Sequence, residues 1–554
     1  MSRALPDPRE PPAAEPTRRP VRSGAARGAA PGGTGPTPPA DAPAPPGTVR
    51  RGSASRRLRV DLLLLGWCGT AVGISLSDGR YSPLALAAVL FGAAAVTVAL
   101  GWPAERRGRW ARPAAAASGR VAVALCAVVV AVGPVVRHPR YYATGPAALA
   151  ADVLAALAGA LAAAALLGSF LRRARPGGTD RRGRWLGGSW WAGDGVFRGV
   201  LGLAIAAGVA TVIAAPRPRI DVFHLLQVST SGLARGENMY RQQWGPDRAT
   251  YTAGGLFDVY PYLPGTSLLL APFRWVFGDV RYGLLLALVL AAVAARAVVA
   301  GRPAGEARGG AAPGGAAPGA GEPGGGEPAG DGGPAAAPPW ALTVAPVLPL
   351  LVTVFPESMY ALQQSWTEPL LVLLLTGTVW AVTTGRTRLA VVAFALALAS
   401  KQHVALVLPL AACWPAFGPR RALWAAGLGL VAVLPWVVAS PRDFFDDAVR
   451  TNLDYQVLDH SLSVPGWAHH FGITLGFGVT AVVLALSYLL AWRARGGAAG
   501  FCAGSALVLL ALDLMNKQTF FNHYTLPMAL LVLAVCAAAG DQRSVENRSR
   551  DAPS

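Results

Sequence analysis

Apolar runs of about 20 residues recur along most of this chain, and they constrain its fold more than any other feature. A helix of about 20 apolar residues spans the ~30 Å hydrocarbon core of a bilayer. Of the 554 residues, 53% are hydrophobic, which leaves room for many such helices. The sequence therefore predicts an all-α polytopic membrane protein with roughly 12–14 transmembrane helices.

The run at 263–277 differs from the others. Its length of about 15 residues gives only about 23 Å of helix, and it contains Pro264, Pro272 and Arg274. We expect a surface or re-entrant element there. The runs that we expect to cross the membrane lie near residues 60–77, 83–102, 119–136, 146–171, 195–215, 282–300, 340–356, 367–383, 388–400, 403–417, 421–440, 471–492, 499–515 and 523–540.

Composition divides the chain further. Residues 1–57 and 301–339 are rich in Pro, Ala and Gly and lack the large apolar side chains that pack a core, so they predict a disordered tail and a disordered linker. The other predicted segments are N-terminal transmembrane helices at 58–194, helices at 195–300 with an outer loop at 216–264, a C-terminal bundle at 340–540 with an outer loop at 441–470, and a tail at 541–554.

The formal net charge of +19 comes from arginines that cluster in the tails and in short loops between apolar runs. Clusters at 106–112 and 172–184 follow the bias of basic residues toward the cytoplasm. We therefore predict a plasma-membrane protein with both termini cytoplasmic and with the loop at 216–264 outside the cytoplasm. Aromatic and basic residues do not interleave as they do in single-strand binders, so no nucleic-acid partner is expected.

The five cysteines all lie inside apolar runs without metal-type spacing, so neither structural disulfides nor zinc is expected. Asp443, Asp446 and Asp447 in the second outer loop could suggest a cation site. Loop carboxylates are more often solvated, and hard cations need several converging oxygens. No metal is predicted.

The first outer loop is a polar stretch between long apolar runs. From Asp221 to Arg235 its apolar residues share one helical face, which predicts an amphipathic helix lying on the membrane. Two interpretations of Asp221 stay open. It can cap the helix N-terminus, a position that Asp favours, or it can be a catalytic carboxylate at the membrane surface.

Under this topology the histidines and both lysines fall at or outside the outer face. Lys401 precedes His403 closely, and Lys517 precedes His523. Each pair predicts either a cationic pocket for a phosphate or side chains that reach to the lipid headgroups. The seven histidines are His138, His224, His403, His460, His469, His470 and His523.

Carboxylates near the spans follow the same distribution, since Glu368 and Asp513 lie close to outer ends. We identify no carboxylate or basic group at a span midpoint. Ion-coupled transporters usually need such groups, so their absence favours another class of function.

Several stretches resemble the first outer loop and later segments of GT-C superfamily glycosyltransferases. They are GENMY, YPYLPGTSLLLAPF, ALQQSWTEPLLVLLL and ALALASKQHVALVLPL, within residues 195–540. The chain is most similar to glycosyltransferase family 87, the polyprenyl-phosphate-mannose-dependent mannosyltransferases. It departs from that family in two ways. About four apolar runs precede the Asp-bearing loop, where the family usually has one, and the linker at 301–339 is an insertion.

The resemblance implies a GT-C-like bundle that moves a sugar, with mannose expected, from a polyprenyl phosphate to a glycolipid, glycan or protein acceptor on the outer face. Asp221 matches the catalytic base by position. No cofactor is expected beyond the lipid-linked sugar as co-substrate, with membrane lipid as the surrounding partner. The predicted donor-phosphate contacts are Lys401, His403, Arg219, Lys517 and His523, and the predicted acceptor or sugar contacts are His224, Tyr260, Tyr262, Gln364 and Glu368.

Two alternatives remain open at this point. A non-catalytic flippase or exporter of an envelope glycolipid would place polar groups along a path to the cytoplasmic side. A lipid-diphosphate-dependent glycan ligase would, like the transferase, gather them at one face. The placement of the histidines and lysines favours a site at one face.

Overall fold

The computed structural model describes residues 58–101, 111–136, 143–171, 193–218, 220–242, 259–301 and 339–550. Within these ranges the chain forms α-helices with short 3-10 and π turns and no strand, so the predicted all-α class is confirmed. The tail at 1–57, the linker residues 302–338 and most of the two arginine clusters lie outside the described residues.

The helices follow one another closely along the chain. The first eight are α1 (Val60–Leu76), α2 (Pro83–Gly101), α3 (Ala111–Val136), α4 (Gly145–Leu171), α5 (Asp194–Ala214), α6 (Asp221–Leu233), α7 (Gly265–Phe277) and α8 (Arg281–Ala300). The next helices are α9 (Pro339–Val344), α10 (Leu351–Val354), α11 (Pro356–Gln363), α12 (Glu368–Thr383), α13 (Thr387–Ser400) and α14 (Leu408–Cys413). The last are α15 (Gly418–Ala439), α16 (Pro441–Phe445), α17 (Thr451–Asp454), α18 (Val464–His469), α19 (Phe477–Arg493), α20 (Ala498–Met515) and α21 (Phe521–Arg550).

Eight of the described helices are long and apolar enough to cross a membrane, and five shorter helices are also apolar. The protein is therefore a polytopic membrane protein, as the sequence predicts. The eight spans are Pro83–Gly101, Ala117–Val136, Gly145–Leu171, Asp194–Ala214, Arg281–Ala300, Gly418–Ala439, Ala498–Met515 and Phe521–Glu546.

The loops between helices gather at two ends of the bundle. At one end, the backbone N–H of Tyr81 donates to the carbonyl of His460 at 2.9 Å, and that of Leu462 donates to the carbonyl of Thr519 at 2.8 Å. These contacts join the α1–α2 turn, the loop at 441–470 and the start of α21. We call this the polar end.

The other end carries the segments that the arginine distribution predicts to be cytoplasmic. Arg543 donates to the carbonyls of Leu342 at 2.9 Å and Val299 at 3.5 Å, and Arg296 forms an ion pair with Asp194 at 2.5 Å. Loops that are predicted to share a side of the membrane thus share an end of the bundle. Which end faces the cytoplasm stays a prediction.

Helix α7 begins and ends at the polar end, as expected of a surface or re-entrant element. Thr266 at its start donates to the carbonyl of Ser400 at 2.7 Å. Just after its end, Arg281 donates to the carbonyl of Ala215 at 2.8 Å. The apolar face of α6 packs against α7, where the Ser229 and Ser267 hydroxyls lie 2.7 Å apart, so protein covers that face rather than lipid alone.

The run at 340–356 does not form one continuous helix, contrary to expectation. It divides into α9, a 3-10 turn at Leu348–Leu350, α10 and the start of α11. Pro346, Pro349 and Pro356 lack the N–H that a continuous helix needs. The described side chains from 340 to 355 are buried or partly buried, and such backbone is tolerated at membrane depth when it is buried in protein.

The first two helices pack closely against each other. A Cβ at Gly69 would lie 2.9 Å from the Ala88 carbonyl oxygen and 2.9 Å from the Gly92 nitrogen. Close approach through small residues is a common way for membrane helices to associate. The Trp67 ring of α1 also lies 5.6 Å from the Phe355 ring, so this hairpin is packed into the bundle.

The bundle's two ends generate a topology prediction. Because arginines favour the cytoplasmic side, residue 320 should lie in the cytoplasm and residue 456 outside it. A reporter enzyme inserted near residue 320 should therefore report a cytoplasmic location, and one inserted near residue 456 an extracytoplasmic location. Activity assays of the two fusions check this. An extracytoplasmic reporter at 320 would contradict the assignment and would require α7 to cross the membrane.

Candidate functional site

Asp221 is the first residue of α6, and Ile220, with extended backbone, occupies the N-cap position. The interpretation of Asp221 as the N-cap is therefore wrong, although its Oδ1 accepts a hydrogen bond from the Val222 N–H at 2.8 Å. The side chain is partly buried. Burial raises the pKa of the Asp221 carboxyl above its ordinary value, more than the backbone hydrogen bonds lower it. A carboxylate of this kind accepts a proton more readily than an exposed one.

Tyr262 connects Asp221 to the polar groups on other segments. Burial raises the pKa of the Tyr262 hydroxyl, and the charges of Asp221 and Glu368 raise it further, which places both carboxylates near this ring. The Lys401 ammonium lies 5.6 Å from the ring centroid. The charge of Asp221 also adds to the burial that raises the pKa of the Tyr455 hydroxyl.

Lys401 is the C-cap residue that follows α13, and it lies against the first residue of α12. Its Nζ is 2.6 Å from Glu368 Oε1, and the two side chains are 12% and 1% exposed. Asn522 donates to the same oxygen at 3.3 Å, whereas Glu368 Oε2 is buried without a hydrogen-bond partner. The predicted cationic pocket at Lys401 therefore also contains a carboxylate, which compensates the charge of the ammonium.

Both predicted histidines lie near Lys401. His403 lies close enough to Lys401 and His523 to feel their charges. His523 lies close enough to Lys401 and Glu368 to feel theirs. Asp513 is buried within reach of the same two charges. We call this group the Lys401 centre, and its members are Glu368, Lys401, His403, Asp513, Asn522 and His523.

Lys517 does not join the Lys401 centre through any contact within the described residues. It is exposed, and its ammonium donates to the backbone carbonyl of Leu453 at 3.1 Å. His523 lies close enough to Lys401 to feel its positive charge, so it groups with Lys401 rather than with Lys517. Lys517 instead connects the loop at 441–470 to the turn between α20 and α21.

Tyr260 is fully buried, its hydroxyl lies 2.5 Å from the Ser267 hydroxyl, and its N–H donates to Asp447 at 2.7 Å. These contacts favour a structural role over the predicted contact with a sugar. His224 is partly buried one turn after Asp221 on α6. Arg219 and His138 lie outside the described residues.

The turn between α11 and α12 carries Gln364, a predicted acceptor or sugar contact, and two polar side chains that sequence reasoning missed, Ser365 and Thr367. Ser365 has a φ of +63°, which is strained for a residue with a Cβ. The buried oxygens Gln364 Oε1, Ser365 Oγ and Thr367 Oγ1 have no hydrogen-bond partner, although Gln364 Nε2 donates to Gln363 at 3.0 Å. Strain and unpaired polar groups cluster at functional sites. The sequence QQSW gives no signal of the strained backbone or of the unpaired oxygens.

The aspartates of the second outer loop have separate partners. Asp443 pairs with Arg241 at 3.5 Å, Asp446 pairs with Arg450 at 3.5 Å, and Asp447 accepts from the Tyr260 N–H. In the ranges that the structure covers, no three His, Cys, Asp or Glu side chains are grouped closely enough to hold a metal ion.

One buried carboxylate inside a span was also missed. Asp152 is 6% exposed and lies on α4, about 10 Å along the helix from its first residue. Its neighbours ALAADVLAAL are apolar, so hydropathy alone hides it.

Comparison with known proteins adds no relative, because no protein-family model, curated protein or solved structure matches this chain.

The chain's two lysines give a direct test of the ion pair. In purified protein, an amine-acylating reagent should label the exposed Lys517 several-fold faster than Lys401, which Glu368 and burial protect. Glu368→Gln should increase the labelling of Lys401 and leave Lys517 unchanged. Mass spectrometry of the two peptides measures both rates. Equal labelling of the two lysines in the wild type would contradict the ion pair.

Proposed function

We propose that this chain is an integral-membrane glycosyltransferase of the plasma membrane. It transfers a sugar from a polyprenyl phosphate to an envelope acceptor at the polar end, on the extracytoplasmic face. The observation that carries this proposal is the buried polar centre at Lys401, where Glu368, Asn522 and Tyr262 come together from segments far apart in sequence, with Tyr262 close enough to Asp221 to feel its charge. The resemblance of the surrounding motifs to GT-C enzymes supports the same function and implies mannose as the sugar.

Asp221 is the proposed base. In the reaction an acceptor hydroxyl gives its proton to the carboxylate while its oxygen bonds to the anomeric carbon of the sugar. The bond from that carbon to the phosphate oxygen breaks, and the electron pair leaves with the polyprenyl phosphate. A carboxyl that burial makes more basic suits this step.

The Lys401 centre is proposed to receive the leaving phosphate. Negative charge grows on that phosphate as its bond to the sugar breaks, and positioned cations and hydrogen-bond donors stabilise it. Lys401 is paired with Glu368, so a bound phosphate shares the ammonium with that carboxylate or displaces it. His403 and His523 supply further donors beside Lys401.

One observation favours the exporter alternative. Asp152 is a buried carboxylate inside a span, and such groups line the paths of transporters. It is a single group on α4, whereas the polar groups around Lys401 come from four segments and meet at one end of the bundle. The transferase therefore accounts for more of the buried polar groups.

Sugar transfer in membranes tests the proposal. Membranes that contain the wild type should transfer radiolabelled sugar from polyprenyl-phosphate-mannose to an endogenous product. Asp221→Asn should reduce this transfer about 10²–10⁴-fold, the usual contribution of a general base. Asp454→Asn is the matched control, because Asp454 is an exposed carboxylate in the second outer loop. Equal transfer by wild type and Asp221→Asn would remove Asp221 from catalysis.

The pH dependence should follow the state of Asp221. The carboxyl must be ionised to act as a base, and its pKa is raised above the ordinary 3.8. Transfer should therefore fall on acidification with a midpoint above pH 3.8, and the rate should level off at higher pH. Initial rates across a pH series measure this midpoint. Asp221→Glu should retain the acid limb with a shifted midpoint, and an unshifted limb would contradict the assignment.

A further inference from the structure

The turn between α1 and α2, at residues 77–82, is seated on the polar end. The Tyr81 N–H donates to the His460 carbonyl at 2.9 Å, and the Tyr81 ring lies 4.6 Å from the His470 ring. Arg80 and Ser461 form an isolated antiparallel bridge. The N-terminal hairpin, which the GT-C resemblance does not cover, thus contacts the second outer loop directly.

Gly79 in this turn touches the backbone of Phe521. Its φ is +66°, and a Cβ at this position would lie 2.3 Å from Phe521 Cβ and 2.4 Å from Phe521 N. Real Cβ atoms do not approach other heavy atoms so closely. Because the contact is with backbone and Cβ, trimming the Phe521 ring would not relieve it.

The Phe521 ring in turn contacts residues before and after the strained position in the turn between α11 and α12. Its centroid lies 4.5 Å from that of Tyr360 and 3.9 Å from that of Trp366. Ser365, with its φ of +63°, lies between these two residues in the sequence. A strained backbone of this kind persists only when its surroundings hold it in place.

Glu368 follows this turn closely, and Asn522 follows Phe521. The Asn522 side chain donates to Glu368 Oε1 at 3.3 Å, and the same oxygen bonds to Lys401 at 2.6 Å. Phe521 is therefore linked to Glu368 through Trp366 on one side and through Asn522 on the other.

We propose that Phe521, held by Gly79, is a positioning residue for the Glu368–Lys401 pair, and that the N-terminal hairpin is part of the site. Gly79 fixes the backbone of Phe521, and the Phe521 ring fixes the turn from which Glu368 extends. The catalytic meaning of this role rests on the proposed function, whereas the positioning itself is independent of any activity.

Lysine labelling of the purified full-length protein tests the positioning. Gly79→Ala should push Phe521 away, and Phe521→Leu should remove the two ring contacts while keeping an apolar side chain. Both variants should label Lys401 several-fold faster than the wild type relative to Lys517. Gly472→Ala is the matched control, since Gly472 has a φ of +69° and open space around its Cβ position. It should label like the wild type.

Unchanged labelling of Lys401 in both Gly79→Ala and Phe521→Leu would overturn the proposal. If Gly79→Ala fails to fold, Lys401 and Lys517 will label at similar rates, and Phe521→Leu then decides. Transfer assays on the same variants separate the two proposals. A wild type without transfer from any lipid-linked sugar would refute the proposed function, whereas selective exposure of Lys401 would still support the positioning.

Discussion

The buried ion pair between Lys401 and Glu368 is the interaction on which the polar end depends. Removing two charges from water costs several kcal/mol per ion, and only a close and well-bonded partner offsets that cost. Here the pair joins the C-terminal end of α13 to the first residue of α12, and Asn522 adds the start of α21. The loss of one partner would leave an uncompensated buried charge, at a cost of about 3–5 kcal/mol.

The neighbouring residues extend this connection to the segment that carries Asp221. Gln402, next to Lys401, donates to the carbonyls of Pro261 at 2.9 Å and Ala448 at 2.8 Å. This fixes the loop that carries Tyr262 against both Lys401 and the second outer loop. The same loop leads into α7, on which α6 packs, so the position of Asp221 follows from a chain of contacts that starts at residues 401–402.

Sequence patterns predicted the membrane class, most helices and the location of Asp221, Tyr262, Lys401 and His403 at the ends of apolar runs. These depend on hydropathy, charge bias and local motifs, which one chain displays directly. The pairing of Lys401 with Glu368, 33 residues apart, and the location of His523 near Lys401 depend on tertiary packing. So do the division of the 340–356 run at its prolines and the strained Ser365, and no local pattern marks them.

A double-mutant cycle on Lys401→Met and Glu368→Gln tests most directly whether one charge pair holds the polar end together. The free energy of unfolding would be measured in detergent for the wild type, both single variants and the double variant. We expect each single variant to be less stable than the double variant, because each leaves one buried charge without a partner and the double variant leaves none. Additive losses, with the double variant the least stable, would contradict the central role of the pair.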